Sequence, residues 1–314
     1  MFVAATSDQI QLSFQPTSDN GGSAVTEYNL YAAVATLDGA AVETYIEVNS
    51  CGGLSMACTL VRTTETSQTF TTGVTYRFRF SATNVIGEGE LSNSVTVSLA
   101  APAVQPAKPV LDRATTITAT TVNKSTKTSL YLTWAAVTPL DALEVDGYKL
   151  YMTKQGTGTA VCVYDGSRNN QKLFYNATGL ETGKRYSFYV VSVNANGVSA
   201  PSDELVVIVC LPPTGFPKPK YLSSTKTTMT LGWEAPSDSG GCPLLTYTLY
   251  INDGLGGASF TSIDSSALQD RPYLTQHTVT QPAGGGALVT GLAYRFKLRA
   301  TNEVGYVEST NFAE

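Results

Sequence analysis

Residues 76–87 read YRFRFSATNVIG, and the same reading returns as YSFYVVSVNANG at 186–197 and YRFKLRATNEVG at 294–305. The offsets are 110 and 108 residues. A period near 100 residues is too long for a solenoid and fits a string of small domains. In each copy apolar and polar side chains alternate. Tyr76, Phe78, Phe80 and Ala82 share one face, as do Tyr186, Phe188 and Val190, and Tyr294, Phe296 and Leu298. Alternation with period two marks a half-buried strand. Arg77, Arg79, Arg295, Lys297 and Arg299 fall on the opposite face, which predicts a solvated sheet surface.

Working outward, an apolar residue stands six positions before each leading tyrosine (Phe70, Leu180, Leu288), and a glycine three before it (Gly73, Gly183, Gly291). A tyrosine at this spacing can bury its ring and return its hydroxyl to the backbone just upstream, a tyrosine corner. That role is expected of Tyr76, Tyr186 and Tyr294. Further upstream lie three more matched segments: IQLSFQPTSDNGGSAVTEYNLY at 10–31, LYLTWAAVTPLDALEVDGYKLY at 130–151 and MTLGWEAPSDSGGCPLLTYTLY at 229–250. Ile10, Leu12 and Phe14 alternate with polar residues, as do Leu130, Leu132 and Trp134, and Met229, Leu231 and Trp233. A turn follows, made with Gly-Gly in the first and third copies, and then a strand carrying Tyr28, Tyr148 or Tyr247. No stretch holds a helical period over three turns.

The tryptophan (phenylalanine in the first copy), the Pro-Ser-Asp-Ser-Gly-Gly type of turn and the L-x-x-G-x-x-Y-x-F…N-x-x-G strand together resemble tandem fibronectin type III domains, three copies over nearly the whole chain. The second copy lacks the Gly-Gly turn and the first has Phe14 for Trp; both keep a bulky apolar residue. The resemblance implies an all-β chain of three seven-stranded β-sandwiches, at residues 1–101, 108–211 and 217–314, used for spacing, adhesion and assembly. The linkers APAVQPAKP (101–109) and CLPPTGFPKP (210–219) are proline-dense, which favours stiff extended backbone and a rod. Residues 115–128 hold seven threonines, and 264–286 read as a long loop.

Composition points away from several functions. Charged residues are 14% of the 314, against about 25% in average soluble chains, a balance common in secreted or surface β-proteins. The first third is acidic, with 3 basic and 9 acidic groups in 1–104. No basic cluster marks a nucleic-acid footprint, and no apolar run is long enough for a membrane span. The start, MFVAATSDQIQLSF, reads as strand rather than leader. The one histidine, His277, lies in a polar stretch with no nucleophile motif beside it. Asp19 and Asp238 are expected to stabilise their turns rather than hold calcium, which needs more oxygen ligands. No catalytic, cofactor or metal site is expected.

Five cysteines remain. Cys51 and Cys58 are spaced for a local staple. In the fibronectin-type fold the first turn lies at the pole where the chain enters, so Cys242 could meet Cys210 and clamp the second joint. Cys162 is left over. The alternative is a cytosolic chain with all five reduced. Asn123 and Asn176 head glycosylation triplets if the chain is secreted. These readings together favour a non-enzymatic extracellular or surface segment that contacts other proteins or copies of itself. The nine residues after Gly305 predict a short last strand and head-to-tail assembly in a longer array. An intracellular cytoskeletal or ciliary scaffold spacer is the alternative, or a carbohydrate-binding accessory module of a secreted hydrolase with an aromatic platform from Tyr45, Tyr164 or Tyr273.

Overall fold

A computed structural model describes residues 2–35, 43–112, 125–141, 143–263, 266–280 and 287–309. Asn123, most of the threonine-rich segment, Gly284–Gly286 and the last five residues lie outside the described residues. Every described regular element is a strand. The chain is all-β and forms three tandem β-sandwiches, each with two sheets around its own core.

In unit one, strands β1 (Phe2–Ala5), β2 (Gln9–Ser13) and β5 (Ala57–Val61) form one sheet. The other holds β3 (Glu27–Val34), β4 (Ile46–Glu47), β6 (Thr75–Asn84) and an edge made of β7 (Gly87–Glu88) and β8 (Val95–Ser98). The order β1-β2-β5 against β4-β3-β6 cannot be reached by hairpins alone: the chain switches sheets after β2, after β4 and after β5. Unit two repeats it with β9 (Val110–Leu111), β10 (Leu130–Thr133) and β13 (Phe174–Ala177) facing β11 (Gly147–Lys154), β12 (Val161–Gly166), β14 (Arg185–Asn194), β15 (Gly197–Val198) and β16 (Leu205–Ile208). Unit three uses β17 (Lys220–Ser224), β18 (Met229–Gly232) and β21 (Gln276–Val279) against β19 (Leu244–Ile251), β20 (Thr261–Ser262), β22 (Phe296–Asn302) and β23 (Gly305–Glu308).

Alternation explains the cores. On β6, Tyr76 and Phe78 are buried while Arg77 and Arg79 are half-buried. Ile10, Leu12, Leu30, Leu60 and Phe70 close around them. Trp134, Leu150 and Phe188 occupy the same roles in unit two, and Trp233, Leu249 and Phe296 in unit three. Fully burying side chains of this kind contributes about 1.5–3 kcal/mol each. Phe14 departs from the expectation. It is only half-buried and stacks on Phe80 at 4.4 Å, whereas both tryptophans are buried.

Two sequence readings need correction. His277 stands in strand β21, paired opposite Leu231, not in a polar loop; burial pushes its imidazole below its usual value. The stretch 264–286 is therefore not one loop, since β21 completes a sheet within it and Leu268 is buried in the core. Polar residues there hid a strand of which only alternate positions face inward.

Candidate functional site

The leading tyrosines are buried, and each hydroxyl accepts a bond from the backbone N–H five residues upstream. Thr71 donates to Tyr76 at 2.7 Å, Glu181 to Tyr186 at 3.1 Å and Val289 to Tyr294 at 3.0 Å. Between donor and tyrosine the chain turns at Gly73, Gly183 and Gly291 with φ of 84°, 74° and 92°, a left-handed conformation that glycine enters without a Cβ clash. Tyr294 stands two residues ahead of β22 rather than within it.

The asparagine of each N-x-x-G turn has two tasks. Its Oδ1 caps the turn, accepting from Ile86 and Gly87 at Asn84, from Asn196 at Asn194, and from Val304 and Gly305 at Asn302. In units two and three its Nδ2 faces the incoming chain, while Asn84 Nδ2 bonds Asn20 O at 2.8 Å. Asn194 donates to Ala101 O at 3.3 Å, and Asn302 donates to Leu211 O at 2.8 Å. Ala101 is the first residue of its linker and Leu211 the second of its own, so the turn at the end of β14 or β22 grips the chain as it arrives from the preceding unit.

Around that shared grip the joints differ. At the first, Asn196 brackets the end of unit one. Its Oδ1 accepts from Ser98 N–H at 2.9 Å, and its Nδ2 donates to Ser98 O and Ala100 O, both at 2.9 Å. Ala101 N–H donates to Asp141 at 2.7 Å, and the Ser192 hydroxyl bonds Val104 O. At the second joint Cys210 is joined to Cys242, with Cα atoms 5.8 Å apart. Arg185 pairs with Glu303, and Lys127 with Asp238 at 2.7 Å. Phe216, from the linker itself, is buried against Tyr247 at 5.7 Å.

Cys51 and Cys58 are also joined, with Cα atoms 5.4 Å apart, and Cys162 is free and exposed on β12. Asn176 is exposed on β13. Asp19 and Asp238 accept from Gly21 and Gly240 inside their own turns, at 2.9 and 2.8 Å. Among the described residues no group of three or more His, Cys, Asp or Glu could hold a metal ion, and no helix is long and apolar enough to cross a membrane. Tyr45, Tyr164 and Tyr273 lie in three different units and build no common platform. Tyr164 packs on Trp134 at 5.9 Å, Tyr45 sits under Arg79 at 4.9 Å, and only Tyr273 is open to solvent.

The cationic face is less solvated than its composition predicts. Arg299 lies 3.9 Å from the Tyr306 ring and bonds Glu308 through two nitrogens. Arg77 pairs with Glu43. Long guanidinium stems lie flat across neighbouring tyrosines instead of standing in water. Tyr31, bonded to the Glu88 carboxylate at 2.6 Å and partly buried, is pushed up to about 12. Glu65 carried no signal in its polar run TTETS, yet it is buried. Burial alone would raise its carboxyl; the hydroxyls and backbone N–H groups of Ser50 and Ser67 overcome that and hold it down at about 2. It ties the loop around Cys51 to the loop after β5.

Comparison with known proteins agrees with this geometry in part of the chain. The mouse Fibronectin type-III domain-containing protein 3A is 30% identical over 199 residues, covering 62% of this chain and 15% of its own length. Human Myomesin-2 is 30% identical over 200 residues, covering 61% of this chain and 12% of its own. Exoglucanase B of Cellulomonas fimi is 34% identical over 134 residues, 40% of this chain and 11% of that protein. The chain thus spans a small part of these relatives. The crystal structure of the chicken CNTN1 FN1-FN3 domains aligns over 99% of this chain and 94% of its own, at TM-score 0.34 and 14% identity. Residues 115–208, which lie within unit two, match the model of the Fibronectin type III domain.

Proposed function

We propose that the chain is a non-enzymatic protein-contact and spacing segment of three fibronectin type III domains, at 1–101, 108–211 and 217–314, from an extracellular or cell-surface protein. The observation that carries this reading is the pair of joints. In each, buried side chains of one unit bond the backbone of the linker or of the unit before it, so the units are held in a set relation instead of swinging on loose tethers. A chain that fixes the spacing of its domains can present contact surfaces at set intervals, as a strut in a longer array or filament would. The Cys51–Cys58 and Cys210–Cys242 pairs support an oxidising compartment, and the exposed Asn176 is available to a glycan.

The test is domain motion in the intact chain. NMR relaxation should give the three units one common tumbling anisotropy. Independent tumbling of the units would sink the spacer reading. Intact mass before and after reduction and deglycosylation decides the setting: two bonds and added sugar are expected.

One observation favours a second reading. The likeness to Myomesin-2 and to the chicken M-protein of striated muscle, 30% identical over 189 residues, supports an intracellular scaffold spacer. Five free thiols and no glycan in the natural protein would select it.

A further inference from the structure

We propose that unit two carries a glycan seat on its three-stranded sheet: the first N-acetylglucosamine of a glycan on Asn176 packs on Phe174, with Tyr131 beside it. The proposal rests on the extracellular reading above and names the contact that a glycan there makes.

Residues 174–178 read FYNAT, an acceptor triplet at Asn176 with an aromatic two positions ahead of it. Strand β13 alternates its side chains, so residues two apart share a face. Tyr175 packs toward the core and Ala177 is buried, while Phe174 and Asn176 are exposed, as is Thr178 just past the strand. Strand β10 continues that face. Asn176 pairs with Tyr131 and Phe174 with Thr133, which sets Phe174 and Tyr131 on a diagonal that long aromatic side chains can bridge. Their rings stack, with centroids 5.6 Å apart and planes 15° from parallel. Lys172 Nζ lies 5.6 Å from the Phe174 ring. With both neighbours in place, Phe174 is still 45% exposed.

The other two units lack both parts. Leu12, Leu132 and Leu231 stand in equivalent places, two before Phe14, Trp134 and Trp233. They pair with Cys58, Tyr175 and His277. By that register, the places of Tyr131, Phe174 and Asn176 hold Gln11, Ala57 and Thr59 in unit one. In unit three they hold Thr230, Gln276 and Thr278, and the two threonine hydroxyls bond each other at 3.0 Å. The fold therefore does not call for aromatic rings at these places. Unit two alone has them there, and alone has an asparagine acceptor between them.

Strand β13 is an edge of its sheet, so a bulky group on Asn176 meets no further strand on that side. Attachment is a substitution at the anomeric carbon of the sugar. The donor is a polyisoprenyl-diphosphate oligosaccharide of the secretory pathway. The bond from C1 to the diphosphate oxygen breaks, the bond from C1 to Asn176 Nδ2 forms, Nδ2 gives up one proton and the lipid diphosphate leaves; nothing is oxidised or reduced. The attached pyranose carries hydroxyls at its rim and C–H groups across its faces. An aromatic ring takes such C–H groups on its negative face, and both surfaces leave water. Residues two apart on a strand are roughly 7 Å apart, the reach of an asparagine side chain with one sugar ring. The first sugar, rather than a later one, is therefore the one that lies on Phe174.

The experiment secretes the full chain from an N-glycosylating eukaryotic host, with Asn123→Gln throughout so that sugar is read at Asn176, and trims the glycan to one N-acetylglucosamine with an endoglycosidase. Glycopeptide mapping should find Asn176 occupied. NMR should show Overhauser contacts from the sugar ring protons to the Phe174 ring, with those sugar protons shifted upfield by the ring current. Amide exchange on β10 and β13 should be about threefold slower than in the Thr178→Ala chain, which accepts no sugar; that is the size of one cross-strand aromatic contact. Phe174→Ala changes an exposed position, so unit two should stay folded, and its sugar-bearing molecules should lose both the Overhauser contacts and the slowing. An unoccupied Asn176, a sugar with no contact to Phe174, or equal slowing in the Phe174→Ala chain would each overturn the seat. Shifts on this face that grow with chain concentration while the sugar is present would assign the aromatic pair to a second copy and overturn it too. The host supplies the sugar whatever compartment the natural protein occupies, so the intact mass of the natural protein decides the extracellular reading separately.

Discussion

The two joints solve one problem with different chemistry. Both begin with the asparagine of an N-x-x-G turn donating to the first linker carbonyl, at Ala101 or at Leu211. They diverge at the two residues inside the turn. In unit two these are Ala195 and Asn196, and the second amide brackets Ser98 and Ala100. In unit three they are Glu303 and Val304. Valine has no amide to offer; the neighbouring glutamate pairs instead with Arg185. Where Asn196 bonds the carbonyl of Ala100, the counterpart of Ala100 is Cys210, which is tied covalently to Cys242. The frame of the fold places a turn against a linker in both cases. The residues that fill the turn decide whether the joint is held by amides or by a disulfide with ion pairs.

The strongest way to break this comparison is to remove the covalent tie. Cys210 and Cys242 are 32 residues apart, and chain-entropy arguments give roughly 3–4 kcal/mol for closing such a loop. Cys210→Ser with Cys242→Ser should lower the denaturant midpoint of the affected transition accordingly. Midpoints that coincide in the oxidised and double-serine chains would mean that burial of Phe216 and the non-covalent bonds across the joint hold it without the disulfide.

Asn196→Ala attacks the other joint. It removes three hydrogen bonds to nearly inaccessible backbone, at a cost of about 2 kcal/mol, and limited proteolysis within 101–104 should accelerate while 211–214 stays protected. Unchanged cleavage at 101–104 would show the amide bracket to be dispensable.

Tyr186→Phe separates the stability of a unit from the stability of its joints. It leaves Glu181 N–H without its partner and should cost unit two about 1 kcal/mol, with no change in cleavage at either linker. Wild-type stability would refute the corner role.

The smallest effect belongs to Lys127 and Asp238, both well exposed, where screening leaves little net gain. The bond from Lys127 holds the Asp238 carboxyl below its ordinary 3.8. A carboxylate lowered in the folded state stabilises above its unfolded value, and that contribution fades as pH falls below it. The second joint should therefore loosen slightly in acid or at high salt, and Lys127→Met should reduce that sensitivity, leaving the part owed to Arg185–Glu303 and to the Gly240 N–H bond. A full-sized salt effect in the Lys127→Met chain would assign it to other charges.

Much of the fold could be read from alternation because a β-sandwich repeats its inward positions every second residue. Tyr76, Phe78, Trp134, Phe188, Trp233 and Phe296 all announce themselves that way. His277 did not, because β21 is short and its outward residues are polar, so period two is lost in four positions. Glu65 did not, because a buried carboxylate surrounded by serines and threonines looks in sequence like any solvated loop. Nor did the cationic face: alternation tells which side a residue points to, not whether a tyrosine from the next strand lies beneath it.

By itself the sequence determined the number of units, the face of each core strand and the positions of the turns, since these follow from local periodicity and from glycine, proline and asparagine chemistry. Only the tertiary structure decided that one asparagine could cap its own turn and grip the preceding linker, and that Ala101 and Leu211 fill grooves in the units they enter. Those contacts join segments more than 60 residues apart, with Asn84 and Asn20 separated by 64 and Asn302 and Leu211 by 91. No local pattern encodes such a meeting; it exists once two sheets have packed and brought their turns to the same pole.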